Sequence, residues 1–320
     1  TRALSSAASD VYKRQEQDSL YNEVFGLTIK AKPPPCLDIQ ALLCFDRAVR
    51  REHTMYKEPL ILEVAKDTYL FNLMGMQSPA LIVGTERAML IDTGLGNVDM
   101  TEQVRRVTDK PIMLVLSHAH SDHMGGIGQF EDIYQHPADI PRAKAFAASH
   151  LVYEEDPPIP QQVFISNSKA QFDANPDNLF VIPGTVVPDA YTVHHFHSLE
   201  PDQVIDLGGR QVQILEERGH TAGEIAVLDF QSRILFTGDG ISPLFSVTAA
   251  DIHTVYSDLL HIRAQSSAFD RIYHGHFGAL DSTRLCSDSI ALLDAVLKIL
   301  SDALDGTDPG QPAGSENLRT

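Results

Sequence analysis

Short apolar runs recur along this chain, and most of them end at Gly, Asp, Thr or His. Runs of this length with such boundaries are typical of buried β-strands, because an amphipathic helix needs a longer segment with a period of about 3.6 residues. Turn residues at 84–87 and 208–210 predict that two pairs of strands form hairpins. The predicted strands cover 60–64, 69–71, 80–83, 88–91, 112–116, 204–207, 212–215, 234–236 and 272–273.

Helical spacing is clearest near the end of the chain, where apolar residues recur at 290, 293, 296, 297, 300 and 304. This pattern predicts a helix that begins at Ser287 or Asp288 and ends at Gly306. A second helix is predicted over 99–107 and a short helical piece over 37–49. The strands fall into two groups, one on each side of a less regular segment.

Side chains of the metal-binding type follow the apolar run at 112–116. His118, His120, Asp122 and His123 lie within six consecutive positions there. Burying such groups without partners costs free energy, and a divalent metal is a partner that offsets this cost. Imidazole nitrogen and carboxylate oxygen are common ligands of Zn²⁺. We therefore prefer a metal site to the alternative of ordinary polar loop residues.

The spacing His-x-His-x-Asp-His resembles the metallo-β-lactamase superfamily. Four further segments match motifs of that family in the same order: 90–94 (LIDTG), 219–223 (GHTAG), 236–239 (FTGD) and 275–276 (GH). The resemblance implies an α+β fold in which two sheets are packed between helices, a four-layer αββα sandwich. It also implies a glyoxalase-II-like metallo-hydrolase.

The resemblance implies a ligand set for two divalent metal ions. His118, His120 and His220 form what we call the first subsite, and Asp122, His123 and His276 form the second subsite. Asp239 bridges both. His274 competes with His276 for the last ligand position, and the family pattern favours His276. Asp92 is expected to orient a ligand imidazole without touching metal.

A site of this kind predicts hydrolysis by a bridging hydroxide, with Asp122 both binding metal and assisting the nucleophilic water. Zn²⁺ is preferred because the ligands are rich in histidine, and Mn²⁺ or Fe²⁺ are alternatives. Small ester, thioester or lactone substrates are expected. The alternatives are a phosphodiesterase or nuclease that uses the same two-metal site, a single-iron dioxygenase and a non-catalytic protein.

The motifs of several known subfamilies differ from this chain at defined positions, and these differences narrow the choice of subfamily. β-Lactamases of the superfamily carry cysteine or serine where this chain has Asp239. Acyl-homoserine lactonases carry tyrosine at the position of Ser242. The segment 240–245 lacks the Gly- and Arg-rich stretch of hydroxyacylglutathione hydrolases and persulfide dioxygenases, and His120 differs from the glutamate of flavodiiron proteins.

Composition agrees with a soluble enzyme, for which we expect a cytoplasmic location and a small-molecule substrate. No stretch approaches the roughly 20 apolar residues of a membrane span. The formal net charge of −18 argues against a nucleic-acid partner. Cys36, Cys44 and Cys286 lack metal-site spacing and predict no disulfide framework.

The chain divides into four segments. Residues 5–15 resemble a translated sequencing adapter, so we interpret 1–15 as non-biological and the gene as metagenomic. A single metallo-hydrolase domain is predicted over 16–306 and a disordered tail over 307–320. The Pro-rich segment 137–206 is expected to act as a lid or a homo-oligomer contact.

Several residues of segment 137–206 are candidates for further roles. Its aromatic residues are candidate pocket residues, and its three clustered histidines are a weak candidate for a third metal site, with surface histidines as the preferred explanation. These are Tyr153, Phe164, Phe172, Tyr191 and Phe196, and His194, His195 and His197.

Overall fold

The computed structural model describes residues 59–73, 77–149, 187–242, 245–247, 250–276 and 287–306, together with the backbone of two short strand pairs. Several predictions concern residues outside these ranges. They are the predictions for the adapter-like segment, the three cysteines, the tail 307–320 and residues 150–186, where only one strand pair is described. The two pairs are β1 (Leu37–Asp38) with β16 (Arg284–Leu285), and β8 (Leu151–Val152) with β9 (Ile159–Pro160).

The first sheet has seven strands in the order β10-β7-β6-β5-β4-β3-β2. Neighbouring strands from β2 to β5 are antiparallel, and β5, β6, β7 and β10 run parallel to one another. The strands are β2 (Leu60–Ala65), β3 (Thr68–Asn72), β4 (Ala80–Val83), β5 (Ala88–Ile91), β6 (Ile112–Val115), β7 (Asp132–Gln135) and β10 (His195–Ser198).

The second sheet has five strands in the order β11-β12-β13-β14-β15. Its first four strands are antiparallel, and β14 and β15 are parallel. As a result β12, β14 and β15 all end at the same edge. The strands are β11 (Val204–Asp206), β12 (Gln211–Glu216), β13 (Ile225–Asp229), β14 (Ile234–Phe236) and β15 (Arg271–Tyr273).

Helices cover the outer face of each sheet. α1 (Met100–Arg105), the one-turn helix α2 (Ser121–Met124) and α3 (Ile140–Ser149) follow strands of the first sheet, and a 3₁₀ turn covers Ile127–Gln129. α4 (Ile252–Ala264) and α5 (Ile290–Leu304) pack against the second sheet. Among the described residues, no helix is both long enough and apolar enough to cross a membrane.

Three apolar clusters define the layers. The middle cluster joins the inner faces of the two sheets, for example Met89 of the first sheet with Val227 of the second. A second cluster joins the first sheet to α1 and α3 through Val104 and Phe146. The third joins the second sheet to α4 and α5. The predicted α+β fold with two sheets between helices is therefore confirmed.

The predicted elements differ from the structure in several places. Strands β7, β10 and β13 were not predicted. The last helix begins after Ser289, whose side chain accepts a hydrogen bond from the Ala291 amide, instead of at Ser287 or Asp288. The helix predicted over 37–49 is not seen at 37–38, which form a strand, and 39–49 lie outside the described residues. Both ends of segment 137–206 belong to the sandwich, because they supply α3, β10 and β11.

A buried ion pair ties the two sheets together at the edge away from the candidate site. Arg210 is 3% exposed, and its guanidinium pairs with both carboxylate oxygens of Asp229 at the end of β13. The same guanidinium donates to the carbonyls of Asp67 (2.8 Å) and Val83 (3.1 Å) in the first sheet. A desolvated charge is tolerated when its donors are used in this way.

Arg210→Ala is expected to lower the free energy of unfolding by about 3–5 kcal/mol, because Asp229 would keep a buried charge without its partner. Chemical denaturation measures this loss. Arg263→Ala is the matched control: Arg263 pairs with Asp294 at the surface, with side chains 38% and 48% exposed. Such a pair contributes about 0–1 kcal/mol. Equal losses in the two variants would contradict the role given to Arg210.

Candidate metal centre

Polar loops follow five strands and meet at one rim of the sandwich. In the first sheet Asp92 follows β5 and His118 follows β6, which are parallel neighbours. In the second sheet the loops after β12, β14 and β15 carry His220, Asp239 and His276. Because strands that run in the same direction end at the same edge, side chains far apart in sequence come together here.

The three histidines of the first subsite form a compact group. Their ring centroids are 4.7 Å apart for His118 and His120, 5.0 Å for His118 and His220, and 4.6 Å for His120 and His220. The rings meet nearly at right angles, and His118 Nε2 lies 3.0 Å from His120 Nδ1. One ligand atom from each residue lies within 4.8 Å of the others, a spacing that could hold a metal ion.

The residues of the second subsite also lie together. His276 Nε2 is 3.3 Å from Asp122 Oδ2 and 3.4 Å from His123 Nε2. These three residues offer ligand atoms within 4.8 Å of one another. His274 belongs to none of the possible metal groups among the described residues, and its Nε2 lies 3.6 Å from Asp288 Oδ2 instead.

Asp239 lies between the two subsites. Its Oδ2 is 3.5 Å from His220 Nε2 and 3.1 Å from His276 Nε2, and its Oδ1 is 3.5 Å from His123 Nε2. A third possible metal group contains Asp239 with His118 and His123. This group shares His118 with the first subsite and His123 with the second, so the three groups form one continuous set of donors that could hold two neighbouring divalent ions.

The protonation preferences differ between the two sides of this cluster. Burial, with a smaller contribution from His220, lowers the pKa of His120 to about 3, and burial and neighbouring rings lower that of His118. Burial alone would lower the pKa of His276 as well, but the Asp239 and Asp122 carboxylates outweigh it and raise the pKa to about 10. The carboxylates thus draw positive charge to the second subsite, while the first subsite presents neutral imidazoles, the form that binds metal.

The Asp92 carboxylate contacts Ser117 and His123 next to this cluster. Its Oδ1 accepts a hydrogen bond from the Ser117 amide (2.8 Å), and its Oδ2 accepts one from the Ser117 hydroxyl (2.7 Å) and lies 2.9 Å from His123 Nδ1. A carboxylate can only accept, so Nδ1 carries the proton and Nε2 is left to face the cluster. Asp92 has a positive φ of 64°, a conformation that aspartate tolerates better than most residues.

Two further buried carboxylates contact the ligand loops, and the sequence did not reveal them. Glu224 is fully buried, and its Oε1 accepts a hydrogen bond from the Asp239 amide (2.8 Å) and lies 3.6 Å from His118 Nδ1. A Cβ added at Gly238 would lie 3.0 Å from the same oxygen, so this loop approaches too closely for a larger residue. Asp139 accepts hydrogen bonds from both histidine loops.

The other candidates of segment 137–206 lie away from this cluster or outside the described residues. His195 is exposed and His197 is half-buried, and both contact Asp132. No possible metal group in the described part of the chain includes them. Phe196 packs against the helix-covered face of the first sheet. Tyr191 is 39% exposed. Tyr153, Phe164 and Phe172 lie outside the described residues.

Asp92→Asn is expected to weaken Zn²⁺ binding about 10- to 100-fold, because an amide has only one accepting oxygen and its NH₂ group would face a donor of Ser117 or His123. Competition with a chromophoric chelator measures the dissociation constants. Asp202→Asn is the matched control, since Asp202 also has a positive φ (58°) but lies at the surface. A similar loss in both variants, or none in Asp92→Asn, would contradict the role of Asp92.

Comparison with known proteins gives relatives at low identity. The chain is 24% identical over 222 residues to acyl-coenzyme A thioesterase MBLAC2 of Gallus gallus, which covers 64% of this chain and 74% of that protein. It is 28% identical over 171 residues to the Homo sapiens protein of the same name, and this alignment covers 50% of this chain and 56% of that protein. The aligned region thus spans little more than half of the human relative.

A solved metallo-β-lactamase from Pontibacter korlensis is similar over 77% of this chain and 100% of its own, at 15% identity and a TM-score of 0.47. The α+β sandwich fold is shown by the layers and sheets of this protein and not by this similarity. The family model of the metallo-β-lactamase superfamily matches residues 74–276, well over half of the chain and every residue of the cluster. The protein therefore belongs to the metallo-β-lactamase superfamily.

Proposed function

We propose that the protein is a metal-dependent hydrolase of small acyl thioesters, with esters and lactones as related substrates. The observation that carries this proposal is that the possible metal group containing Asp239 shares His118 with the first subsite and His123 with the second subsite. The first subsite would hold one ion through its three histidines, and the second subsite would hold another. Asp239 would serve both. Zn²⁺ is the preferred ion because most of these ligands are imidazoles.

Two divalent ions at such a centre would lower the pKa of a shared water and stabilise negative charge that develops on a carbonyl oxygen. Two residues of the chain fix the positions of the candidate metal ligands. Asp92 fixes the ring of His123, and Glu224 holds the backbone amide of Asp239. These contacts keep the ligand atoms in place before a substrate arrives, which is the condition for strong electrostatic stabilisation.

Asp122 is the residue best placed to assist an attacking water molecule. Its side chain is 25% exposed at the rim of the cluster, whereas the side chain of His123 beside it is 1% exposed. Burial raises the pKa of Asp122, but the His123 and His276 imidazoles outweigh this effect and lower it below the usual range. Asp122 is therefore a carboxylate at neutral pH and can accept a hydrogen bond from water.

The thioester preference is supported by the relatives, which carry the name acyl-coenzyme A thioesterase in three vertebrates. It is also consistent with the chemistry of the leaving group. A thiol has a pKa of about 8.5, so a thiolate departs near neutral pH without a strong general acid. An alkoxide leaving group would need more assistance.

His120→Ala and Asp239→Ala are each expected to lower the rate of thioester hydrolysis by about 10³-fold or more, because the loss of an ion removes several kcal/mol of charge stabilisation. The measurement is steady-state turnover of short- and long-chain acyl-CoA, a lactone, an aryl ester and a phosphodiester. His195→Ala is the control and is expected to change the rate by no more than about threefold, since His195 is exposed and outside the cluster.

The substrate panel separates the competing functions. Turnover of acyl substrates that both alanine variants lack would support the proposal. Turnover confined to the phosphodiester would replace it with phosphodiesterase activity at the same site. Full turnover in both alanine variants would overturn the metal-centred reaction itself.

Removal of metal by a chelator is expected to abolish hydrolysis, and one metal is expected to restore it best. Reconstitution with Zn²⁺, Mn²⁺ and Fe²⁺ in separate samples, each followed by a rate measurement and a metal count, tests the preference. We expect Zn²⁺ to restore the highest rate with two ions per chain. Full activity with a single Fe²⁺ and consumption of O₂ would favour a dioxygenase instead.

A further inference from the structure

Asp139 connects the two loops that carry the first subsite. It follows β7 and immediately precedes α3, and it is 5% exposed. Its Oδ2 accepts hydrogen bonds from the Ala119 amide (2.9 Å) and the Thr221 hydroxyl (2.7 Å). Its Oδ1 accepts one from the Gly223 amide (2.9 Å). The carboxylate therefore has three donors from two loops.

The two loops belong to different sheets. Ala119 lies between His118 and His120 after β6 of the first sheet, and Thr221 follows His220 in the loop between β12 and β13 of the second sheet. The three rings of the first subsite thus come from both halves of the sandwich. A small relative shift of the sheets would separate His220 from the other two, unless something joins the loops directly.

The fit around Asp139 is tight. A Cβ added at Gly223 would lie 2.9 Å from both the Asp139 carboxyl carbon and the Asp139 amide nitrogen, closer than real Cβ contacts. The His220 loop is therefore pressed against Asp139 through backbone that only glycine allows. Asp139 also begins α3, since its carbonyl accepts hydrogen bonds from the amides of Arg142 and Ala143. The carboxylate is thus fixed by the helix as well as by its donors.

We infer that Asp139 is a positioning residue that sets the distance between the His118–His120 loop and the His220 loop, and so determines how tightly the first subsite binds a divalent ion. This inference rests on the ligand set of the proposed function. Asp92 has the corresponding role at the second subsite through His123. The described contacts of Asp139 do not include Asp122, His123 or His276, so its effect should be confined to one ion.

The test isolates each subsite before Asp139 is changed. His276→Ala leaves the first subsite intact, and His220→Ala leaves the second subsite intact. Asp139→Asn is then added to each background, and Zn²⁺ affinity is measured by chelator competition. The amide has nearly the same size as the carboxylate, but its NH₂ group would face a donor where Oδ1 or Oδ2 now accepts.

Asp139→Asn is expected to weaken Zn²⁺ binding about 10- to 100-fold in the His276→Ala background, and by no more than about threefold in the His220→Ala background. Asp132→Asn is the matched control, because Asp132 lies on β7 with a side chain 54% exposed. It should leave both affinities unchanged. Thr221→Val removes one of the three donors and should weaken the first subsite in the same direction by a smaller factor, even if Asp139→Asn fails to fold.

Three results would overturn the inference. These are unchanged affinity in folded Asp139→Asn with unchanged affinity in Thr221→Val, equal weakening of both subsites, and weakening that merely follows a loss of thermal stability. If His276→Ala and His220→Ala each bind no ion at all while remaining folded, the ligand set of the proposed function fails instead. Asp139 is then tested by comparing Zn²⁺ affinity of Asp139→Asn and the unchanged chain.

Discussion

The structure must hold several imidazole rings close together at one rim of the sandwich, and the rest of the site depends on this constraint. Five imidazole rings lie with neighbouring centroids 4.1–5.1 Å apart, and two carboxylates lie among them. Without a fixed support, rings packed this closely would turn to their most favourable hydrogen bonds and lose the shared centre. The support comes from three buried carboxylates, Asp92, Asp139 and Glu224, each of which accepts hydrogen bonds from a ligand loop.

The sandwich makes this support possible. Because β5 and β6 are parallel, and β12, β14 and β15 end at the same edge, the ligand loops meet without long connections. The middle apolar cluster packs the two sheets against each other. Arg210 also joins them at a distant edge, through Asp229 and two carbonyls of the first sheet. Rigidity of the layers is therefore a condition for the proposed metal centre, since its candidate ligands come from both sheets.

Local sequence predicted the parts of the fold and site that depend on local patterns. Short apolar runs predicted nine of the twelve strands of the two sheets, because buried strands need few residues, but they did not predict β7, β10 and β13. The histidines stood out because they follow such runs directly. The supporting carboxylates depend on tertiary contacts. Asp139 contacts Thr221, which is 82 residues away, and no feature of the sequence near Asp139 points to that loop. The start of the last helix was also missed by one residue, since serine and aspartate alternatives compete over 287–289.

The most direct test of the two-metal centre is anomalous X-ray diffraction at the zinc absorption edge, from crystals of the zinc-loaded protein. Two strong peaks are expected on either side of Asp239. One should be ligated by His118, His120 and His220, and the other by Asp122, His123 and His276. A single peak, or zinc bound elsewhere with this cluster empty, would contradict the two-metal centre on which the proposed hydrolase activity rests.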